Sequence, residues 1–426
     1  MSSKVERSAT RLRGFHDPEM DFQLIRMLGT APYGGAALGE CLTAARQIHD
    51  GDPWSWARAF GELAVLLEGQ AGDCLIRGHR VSARELFLRA SNYYRSAEYY
   101  ANPRLPEHHH FGMKARECFL QAAPLCREVI EVLGIPFEGR SLPGYFLRSD
   151  ADRSPRKTLL IISGFDGTAE ESYFQAGAAA VERGYNVLLF EGPGQTGTLR
   201  LYPDLTFRPD YEVPVRAVVD YALGRSEVDP DRLAFLGISF GGYFSIRAAA
   251  HEPRIKALVP NSPIVDLHRY MAAFLGYDSV EAEQDLTPDE MAELPDDVAP
   301  PSAKWGLFNV CRRFGVTRLG AFFEFLKQFR VGPELKNITC PTLALVGEGE
   351  GAESMTQARE YVEGVSGPRQ LYQFTLAQGA DTHCQLNNLS FSNHVILDWL
   401  DELFPEARAG RRDGGRARST GPQAVP

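Results

Sequence analysis

The stretch Leu233–Phe244, which reads LAFLGISFGGYF, constrains the fold of this chain more than any other. A short apolar run ends in the pentapeptide GISFG around Ser239, and small, helix-compatible residues follow. A G-x-S-x-G pentapeptide between a strand and a helix predicts a nucleophile elbow, a tight turn that exposes the serine hydroxyl. Gly237 and Gly241 fit this interpretation because larger side chains would collide with the neighbouring strand and helix. A glycine-rich turn with a solvated serine is the alternative.

Length and composition limit the classes of protein to consider. The chain has 426 residues, more than one compact core usually holds, so we expect a main domain with a substantial addition. The net charge of -10 argues against binding to nucleic acid, and no apolar run is long enough to span a bilayer. The N-terminal residues lack the apolar segment of a signal peptide, and the seven cysteines show no C-x-x-C spacing. We therefore expect a cytoplasmic protein with reduced thiols that acts on neither nucleic acid nor membranes.

Residues 1–140 are predicted to form an all-helical N-terminal domain. In Ser82–Tyr100 the apolar residues recur every three or four positions, which places one apolar stripe on one helix face. A similar stripe runs through residues 54–67. No repeat of fixed period is present, so a helical domain packed on the main domain is favoured over a repeat array.

Short β-rich runs alternate with helical segments from residue 141 onward. The candidate strands are Gly144–Leu147, Thr158–Ser163, Asn186–Phe190, Arg232–Leu236, Ala257–Pro260, Thr342–Val346 and Gln370–Phe374. This alternation predicts an α/β protein with a mostly parallel central sheet and helices on both faces. Functional residues of such sheets lie beyond the carboxyl ends of the strands.

The alternation is interrupted at residues 267–335, which divides the α/β core into residues 141–266 and 336–405. The interrupting segment is rich in aromatic residues and lies between two predicted strands, on the side where a site is expected. We interpret it as a helical cap insert over the site. A helical excursion that packs only its own aromatic side chains is the alternative. Residues 406–426, rich in Arg and Gly, are predicted to be a disordered tail.

A serine becomes a nucleophile when a base accepts its proton and an acid orients that base. Behind an elbow the acid follows in the chain and the histidine comes last. The acid is expected just after the predicted strand Thr342–Val346, where Glu350 is our first choice and Glu348 and Glu353 are the alternatives. His383, in the loop after the last predicted strand, is interpreted as the base. Solvated surface positions are the alternative interpretation for both side chains.

Two backbone N–H groups are expected to hold an oxyanion. One belongs to Phe240, directly after the serine, and the other to Phe165, in the loop after the strand that ends at Ser163. Asp166 in the same loop either binds a substrate hydroxyl or caps the following helix. Asp266, after a later strand, likewise either contacts substrate or caps the first helix of the insert.

Neither a metal site nor a phosphate-binding loop is predicted. His108-His109-His110 cannot present three ligands on one helix face, and we interpret this triplet as a solvated loop. The glycine-rich stretch Glu191–Gln195 lacks the Lys-Ser/Thr of a P-loop and is interpreted as a tight turn at the edge of the sheet. The predicted chemistry therefore needs no cofactor.

The chain resembles the α/β-hydrolase superfamily through the elbow at Gly237–Gly241 with Glu350 and His383 behind it. Three further features narrow the resemblance: the helix sequence ARELFLRASNYYRSAEYY, the FEGPGQTG loop at Phe190–Gly197, and the SGFDGTAEES loop at Ser163–Ser172. Together they are similar to the branch that contains 2,6-dihydroxypseudooxynicotine hydrolase, the fusarin-type hydrolases and the heptaketide-shortening hydrolases of fungal pigment synthesis. The resemblance covers nearly the whole chain except the Arg-rich tail.

The resemblance implies a serine hydrolase that cleaves a carbon–carbon bond of β-diketone type, or an ester, in secondary metabolism or aromatic catabolism. It implies Ser239 as nucleophile, His383 as base and Glu350 as acid, although many relatives carry Asp at the acid position. The expected partner is a small apolar or aromatic carbonyl compound. The sequence leaves open a cyclase or acyl transferase using the same triad, a non-catalytic binding protein, a peptidase, and a homodimeric state.

Overall fold

The structure is a computed structural model, in which residues 14–277 and 285–405 are described. The predicted tail at 406–426 and the outermost part of the predicted helical domain, residues 1–13, lie outside the described residues. A short segment of the predicted insert, residues 278–284, lies outside them as well.

A mixed sheet forms the centre of the described part of the chain. Its strands are β1 (Val129–Phe137), β2 (Arg140–Arg148), β3 (Arg156–Ile162), β4 (Asn186–Phe190), β5 (Val228–Ile238), β6 (Ala257–Asn261), β7 (Thr342–Gly347) and β8 (Arg369–Phe374). They lie in the order β1-β2-β4-β3-β5-β6-β7-β8. β1 pairs antiparallel with β2, and β2 pairs antiparallel with β4, whereas all the other pairings are parallel. The predicted mostly parallel sheet is confirmed.

The central strands are apolar at nearly every position because both faces of the sheet are covered. In β3, Leu159 and Ile161 belong to the core on one face, while Leu160 and Ile162 belong to the core on the other. The first core contains the N-terminal helices, and the second contains the aromatic residues of the insert. The sheet therefore has a helical layer on each side, as predicted.

Five helices of the described residues precede the sheet and pack against each other. They are α1 (Pro18–Gly29), α2 (Leu38–Ala45), α3 (Pro53–Ile76), α4 (Arg80–Tyr100) and α5 (Pro106–Ala122). The predicted apolar stripe of α4 is buried except at Leu86, which is half-buried. The prediction of helix as far as residue 140 is wrong for β1, because its alternate residues Leu133, Ile135 and Phe137 are buried and its backbone pairs with β2.

The core helices alternate with the strands. Those before the insert are α6 (Ala169–Ser172), α7 (Ala178–Glu182), α8 (Thr196–Leu201), α9 (Glu212–Leu223) and α10 (Phe240–Ala249). Four more lie within the described part of the insert, and two follow it. They are α11 (Leu267–Leu275), α12 (Pro288–Ala292), α13 (Pro301–Phe314), α14 (Leu319–Leu326), α15 (Gly351–Gly364) and α16 (Leu389–Leu403).

The insert leaves and rejoins the core through a narrow neck. Leu267 N–H donates to the Phe329 carbonyl at 3.0 Å, and Val331 N–H donates to the Val265 carbonyl at 3.0 Å. These two bonds tie the start of the insert to its end, so the helices between them form a unit attached beside the carboxyl ends of the strands.

Helix length and cysteine pairing can also be read from the structure. Among the described residues, no helix combines the length and the apolarity needed to cross a bilayer. All seven cysteines are unpaired thiols.

The turn from β5 into α10 is held by close backbone approaches that leave no room for side chains. A methyl group on Gly237 would collide with the Gly241 carbonyl oxygen, and one on Gly241 would lie 2.6 Å from the Ile162 carbonyl oxygen. A methyl group on Gly242 would collide with the carbonyl oxygen of Ser262, beyond β6. The glycines predicted to flank the serine without bulk are therefore required by contact with backbone.

We predict that Gly242→Ala destabilises the fold by about 1–3 kcal/mol, because α10 must move away from the Ser262 carbonyl. Thermal unfolding measures the effect. Gly69→Ala is the matched control, since Gly69 lies inside α3 with no atom within 4 Å of the added methyl group. The control should stabilise by up to about 1 kcal/mol. Equal midpoints for both variants would show that the close approach at α10 is unimportant.

Candidate active site

Ser239 lies at the junction of β5 and α10, in a backbone conformation that serine rarely adopts. Its φ is 60° and its ψ is -123°. Such strain persists only where surrounding contacts impose it. Here the Ser239 N–H donates to the Asn261 carbonyl at 2.6 Å, which fixes the turn against the end of β6. The hydroxyl then points beyond the strand ends, where its Oγ lies 2.9 Å from Nε2 of His383.

His383 connects the serine to a buried carboxylate. Its Nδ1 lies 2.6 Å from Oε2 of Glu350, and the imidazole is buried. Burial disfavours the imidazolium, but the adjacent Cys384 and the Glu350 carboxylate outweigh this effect and raise the pKa of His383 above its ordinary value. A raised pKa makes the neutral imidazole a stronger base toward the serine hydroxyl.

Glu350 is fully buried and held in a fixed orientation. Its Oε1 accepts the Gly347 N–H at 2.7 Å, and its Oε2 accepts the Ser262 hydroxyl as well as His383. The two alternative acids lie elsewhere. Glu348 is exposed and accepts the Leu376 N–H, while Glu353 pairs with Arg269 at 2.8 Å. The structure thus brings Ser239, His383 and Glu350 together, in the order expected from the sequence.

The loop after β3 lies against the serine. A methyl group on Gly164 would lie 2.6 Å from Cβ of Ser239 and 2.9 Å from N of Phe240, so the two backbones are in contact. Phe240 is the first residue of α10, and its N–H therefore has no acceptor within the helix. Phe165 follows Gly164 in the same loop. Both predicted oxyanion donors therefore belong to backbone segments that meet at the serine.

Gln195 holds the loop after β3 in place, a role that the sequence does not predict. Its Nε2 donates to the Ser163 carbonyl at 2.7 Å and to the Gly164 carbonyl at 3.1 Å, while its Oε1 accepts the Gly192 N–H. The stretch Glu191–Gln195 follows β4, which lies inside the sheet, so the interpretation as an edge turn is wrong. The PGQ sequence marks Gln195 as unusual, but the loop that it holds lies about 30 residues earlier in the chain.

Arg313 of α13 holds the same loop from the insert. Its guanidinium donates to the Phe165 carbonyl at 2.8 Å, to the Gly194 carbonyl at 3.1 Å and to the Thr196 hydroxyl at 3.1 Å. It also lies over the Phe165 ring, 4.8 Å from the ring centre. Burial lowers the pKa of Arg313 to about 10, so it remains a cation at neutral pH. No local sequence pattern marks this arginine.

The two aspartates predicted as caps or substrate ligands have different positions. Asp166 lines the cavity described below and accepts from Arg26 at 3.0 Å, and the helix that follows it is capped by Thr168 instead. Asp266 caps α11 by accepting the Arg269 N–H, and it pairs with Arg330. Asp266 is not among the described residues that line the cavity, so the structure favours the helix cap over substrate contact.

A cavity of about 550 Å³ opens above Ser239. Its walls come from three parts of the chain: the N-terminal helices, the ends of the strands, and the insert. The lining is mainly apolar and aromatic, and it includes Phe22, Tyr100, Tyr270, Phe274, Trp305 and Phe322. A mainly apolar cavity of this volume suits a small organic molecule.

The histidine triplet is part of α5 and not a loop, so that interpretation is wrong. His109 and His110 are exposed, whereas His108 is buried and lines the cavity. Within the described ranges no group of three or more His, Cys, Asp or Glu side chains is arranged to hold a metal ion.

Comparisons with known proteins define the class to which this chain belongs. Residues 173–300 match the model of the prolyl oligopeptidase family. Hydrolase ORFZ of Pyricularia oryzae is 33% identical over 411 residues, which cover 90% of this chain and 96% of the relative. The 20-hydroxy-prefusarin hydrolase FUS2 of Gibberella moniliformis is 31% identical, with the same coverage. The chain is an enzyme of the α/β-hydrolase superfamily.

Within that superfamily the chain belongs to the group of hydrolases that includes ORFZ and FUS2. Among solved structures, that of 2,6-dihydroxy-pseudo-oxynicotine hydrolase is similar in fold, with a TM-score of 0.66 at 22% identity. The similarity covers 88% of this chain and 94% of that chain. The family and branch predicted from the elbow, the PGQ loop and the helical sequence are confirmed.

We predict that Glu350→Gln lowers kcat/KM by about 10⁴-fold, because the histidine loses its orienting charge. Neutral His383 is the active form and Glu350 raises its pKa, so the acid limb of the wild-type pH profile should lie above about 6.5. In Glu350→Gln the pKa falls and the limb moves to lower pH. Glu353→Gln is the control and should change neither kcat/KM nor the position of the acid limb. An unshifted limb in Glu350→Gln would contradict the assignment of the acid.

We predict that Arg313→Met lowers kcat by about 10²-fold, because the Phe165 N–H loses its fixed position near the developing oxyanion. The acid limb of the pH profile should stay in place, since the contact of His383 with Glu350 is intact. Arg318→Met, in the same insert, is the control, because Arg318 contacts Asp285 and not the loop. An unchanged kcat in Arg313→Met would show that the loop keeps its geometry without the contact from Arg313.

Proposed function

We propose that this hydrolase cleaves a carbon–carbon bond of β-diketone type, or an ester, in a small apolar or aromatic substrate of secondary metabolism or aromatic catabolism. The observation that carries the proposal is the Ser239 Oγ, 2.9 Å from His383 Nε2, beneath a cavity of about 550 Å³ with aromatic walls. The nucleophile is thereby activated in a place that a bulky apolar carbonyl compound can reach.

The proposed mechanism follows from the positions of the groups. His383 takes the proton of Ser239 as Oγ attacks the carbonyl carbon, and the N–H groups of Phe165 and Phe240 hold the oxyanion. The tetrahedral intermediate collapses and expels an enolate or an alkoxide, which receives the proton from His383. Water then attacks the acyl-enzyme with His383 again as base, releasing a carboxylic acid and regenerating Ser239. A diketone and one water thus give one acid and one ketone.

The substrate class rests on the cavity and on two relatives. The lining has many aromatic side chains and few charged groups, which favours a hydrophobic small molecule over a charged polymer. The relative FUS2 is described as acting on 20-hydroxy-prefusarin, and the similar structure belongs to a hydrolase of 2,6-dihydroxy-pseudo-oxynicotine. A peptidase activity is less well supported, because the family model matches only residues 173–300 and helices of the N-terminal region and of the insert cover the site.

We predict that Ser239→Ala lowers turnover by about 10⁶-fold and abolishes labelling by a fluorophosphonate. The measurement is the intact mass after labelling, together with product masses from β-diketones and aryl esters. Ser245→Ala is the control, because this serine of α10 donates its hydroxyl to the Gly242 carbonyl. Products that gain one water indicate hydrolysis, whereas a product with the mass of the substrate indicates cyclisation. Full activity of Ser239→Ala would contradict the serine mechanism.

A further inference from the structure

His108 is a buried polar side chain in the cavity wall that takes no part in the proposed mechanism. It lies in the first turn of α5 and is 9% exposed, while its neighbours His109 and His110 face solvent. It lines the cavity, and no hydrogen bond joins its ring nitrogens to another described residue; these nitrogens are not among the fully buried polar atoms and so reach the cavity. An imidazole whose nitrogens reach a cavity can donate to and accept from a ligand bound there.

The surroundings keep this imidazole neutral. Burial is the main cause that lowers the pKa of His108 to about 4. The nearby charges of Arg312 and Arg313 also lower this pKa, whereas the Glu98 carboxylate raises it. The Glu98 carboxylate is engaged by Arg200, whose Nε donates to it at 2.8 Å. A neutral imidazole presents one N–H donor and one acceptor nitrogen. His108 therefore suits an uncharged, hydrogen-bonding group of a ligand.

Asn309 of α13 supplies a second polar group on the same wall. Its Oδ1 accepts from Nε of Arg313 at 3.0 Å, which directs the amide NH₂ away from that arginine. Asn309 lines the cavity, and within the described part of the chain no acceptor is assigned to its NH₂ group. The amide is thus a donor whose orientation is fixed by the residue that also holds the oxyanion loop.

His108 and Asn309 line the same cavity, and contacts join the segment just before α5 to α12 and α13 of the insert. The Arg104 guanidinium, just before α5, lies 4.4 Å from the centre of the Phe308 ring, next to Asn309 in the chain. Arg104 also pairs with Asp289 at 2.6 Å, so the start of α5 is attached to the insert at two points. His108 and Asn309 consequently face the cavity at the junction of the helical domain and the insert.

We propose that His108 and Asn309 form a subsite that binds a second, uncharged oxygen of the substrate, a ketone or hydroxyl group distinct from the carbonyl attacked by Ser239. This inference rests on the proposed function and names a feature of its substrate. Two donors and one acceptor match a ketone or hydroxyl oxygen. A carboxylate is a poorer match, because Arg26, the cavity-lining arginine of the described residues, is bound by Asp166 and Glu171.

The subsite would give the apolar cavity its selectivity. An apolar wall orients a hydrophobic ligand only loosely, whereas buried donors reject an analogue that leaves them unpaired. A substrate with a second oxygen at the right distance is held at both ends, which places its scissile carbonyl against Ser239. An analogue in which a methylene replaces that oxygen loses this orientation.

The test uses para-nitrophenyl esters of straight-chain acids that carry one ketone at successive positions, each paired with the plain ester of equal length. For at least one position the wild-type kcat/KM should favour the keto ester by about tenfold, the value of one good hydrogen bond. His108→Leu and Asn309→Leu should bring the ratio of kcat/KM on the keto ester to kcat/KM on the plain ester close to one. This ratio is the readout, because Asn309→Leu also removes an acceptor of Arg313 and should slow both esters. His108→Gln should retain part of the preference, and His109→Leu, on the exposed side of α5, all of it.

The possible outcomes separate the subsite from the serine chemistry. The subsite is overturned if no keto position is favoured by the wild type, if His108→Leu keeps the preference, or if esters bearing a carboxylate are favoured instead. Failure of both esters to react, together with failure of a fluorophosphonate to label Ser239, would overturn the proposed function. In that event calorimetry on wild type and His108→Leu measures the dissociation constants of paired ketones and hydrocarbons. Tighter binding of the ketone by the wild type alone supports the subsite, and equal preferences in both proteins overturn it.

Discussion

The position of Ser239 depends on a backbone conformation that its neighbours impose. The residue has a positive φ, and the bond from its N–H to the Asn261 carbonyl fixes the turn to the next strand. Gly164 lies against the serine from the other side, so the turn is confined between β3 and β6. Because the same packing brings the Phe240 N–H and the loop of Phe165 to the serine, Ser239 and the two proposed oxyanion donors form one contiguous unit.

Both additions to the α/β core are attached to that unit by buried charges. Arg26 of the helical domain binds Asp166 and Glu171, which lie in and just after the loop beyond β3. Arg313, in α13 of the insert, donates to the carbonyl of Phe165 in the same loop. Removing one partner of a buried ion pair such as that of Arg26 with Glu171 costs roughly 3–5 kcal/mol. Arg313 holds the loop through charge-assisted hydrogen bonds to carbonyl oxygens instead. The walls of the cavity and the oxyanion site therefore share the same supports.

The sequence predicts those parts of the site that depend on local pattern. The elbow, the order of Glu350 and His383 behind it, and the strands that end beside them are all short-range signals, and the structure brings these residues together. Arg313 could not be predicted, because its partners lie more than a hundred residues away and an arginine in an amphipathic helix is usually solvated. β1 differs from Arg313, because its signals are local: Leu133, Ile135 and Phe137 alternate with exposed residues, and its partner β2 follows after a two-residue turn.

The position of His108 also could not be predicted from local sequence. A run of three histidines gives no indication of which one faces inward, and only the packing of α5 on its neighbours decides this. Asp166 and Asp266 were equivalent from the sequence, as acidic residues after strands. They differ in the structure because one faces Arg26 and the cavity, while the other caps α11 beneath the neck of the insert.

The central claim is that Ser239 carries the acyl group of the substrate during turnover. Rapid acid quenching of the wild-type enzyme with a β-diketone, followed by peptide mass spectrometry, tests this most directly. The account predicts a transient acyl adduct on the peptide that contains Ser239, which forms before the acid product and decays as that product appears. Turnover of the diketone with no acyl adduct at Ser239, or with the adduct on Cys384, would contradict it.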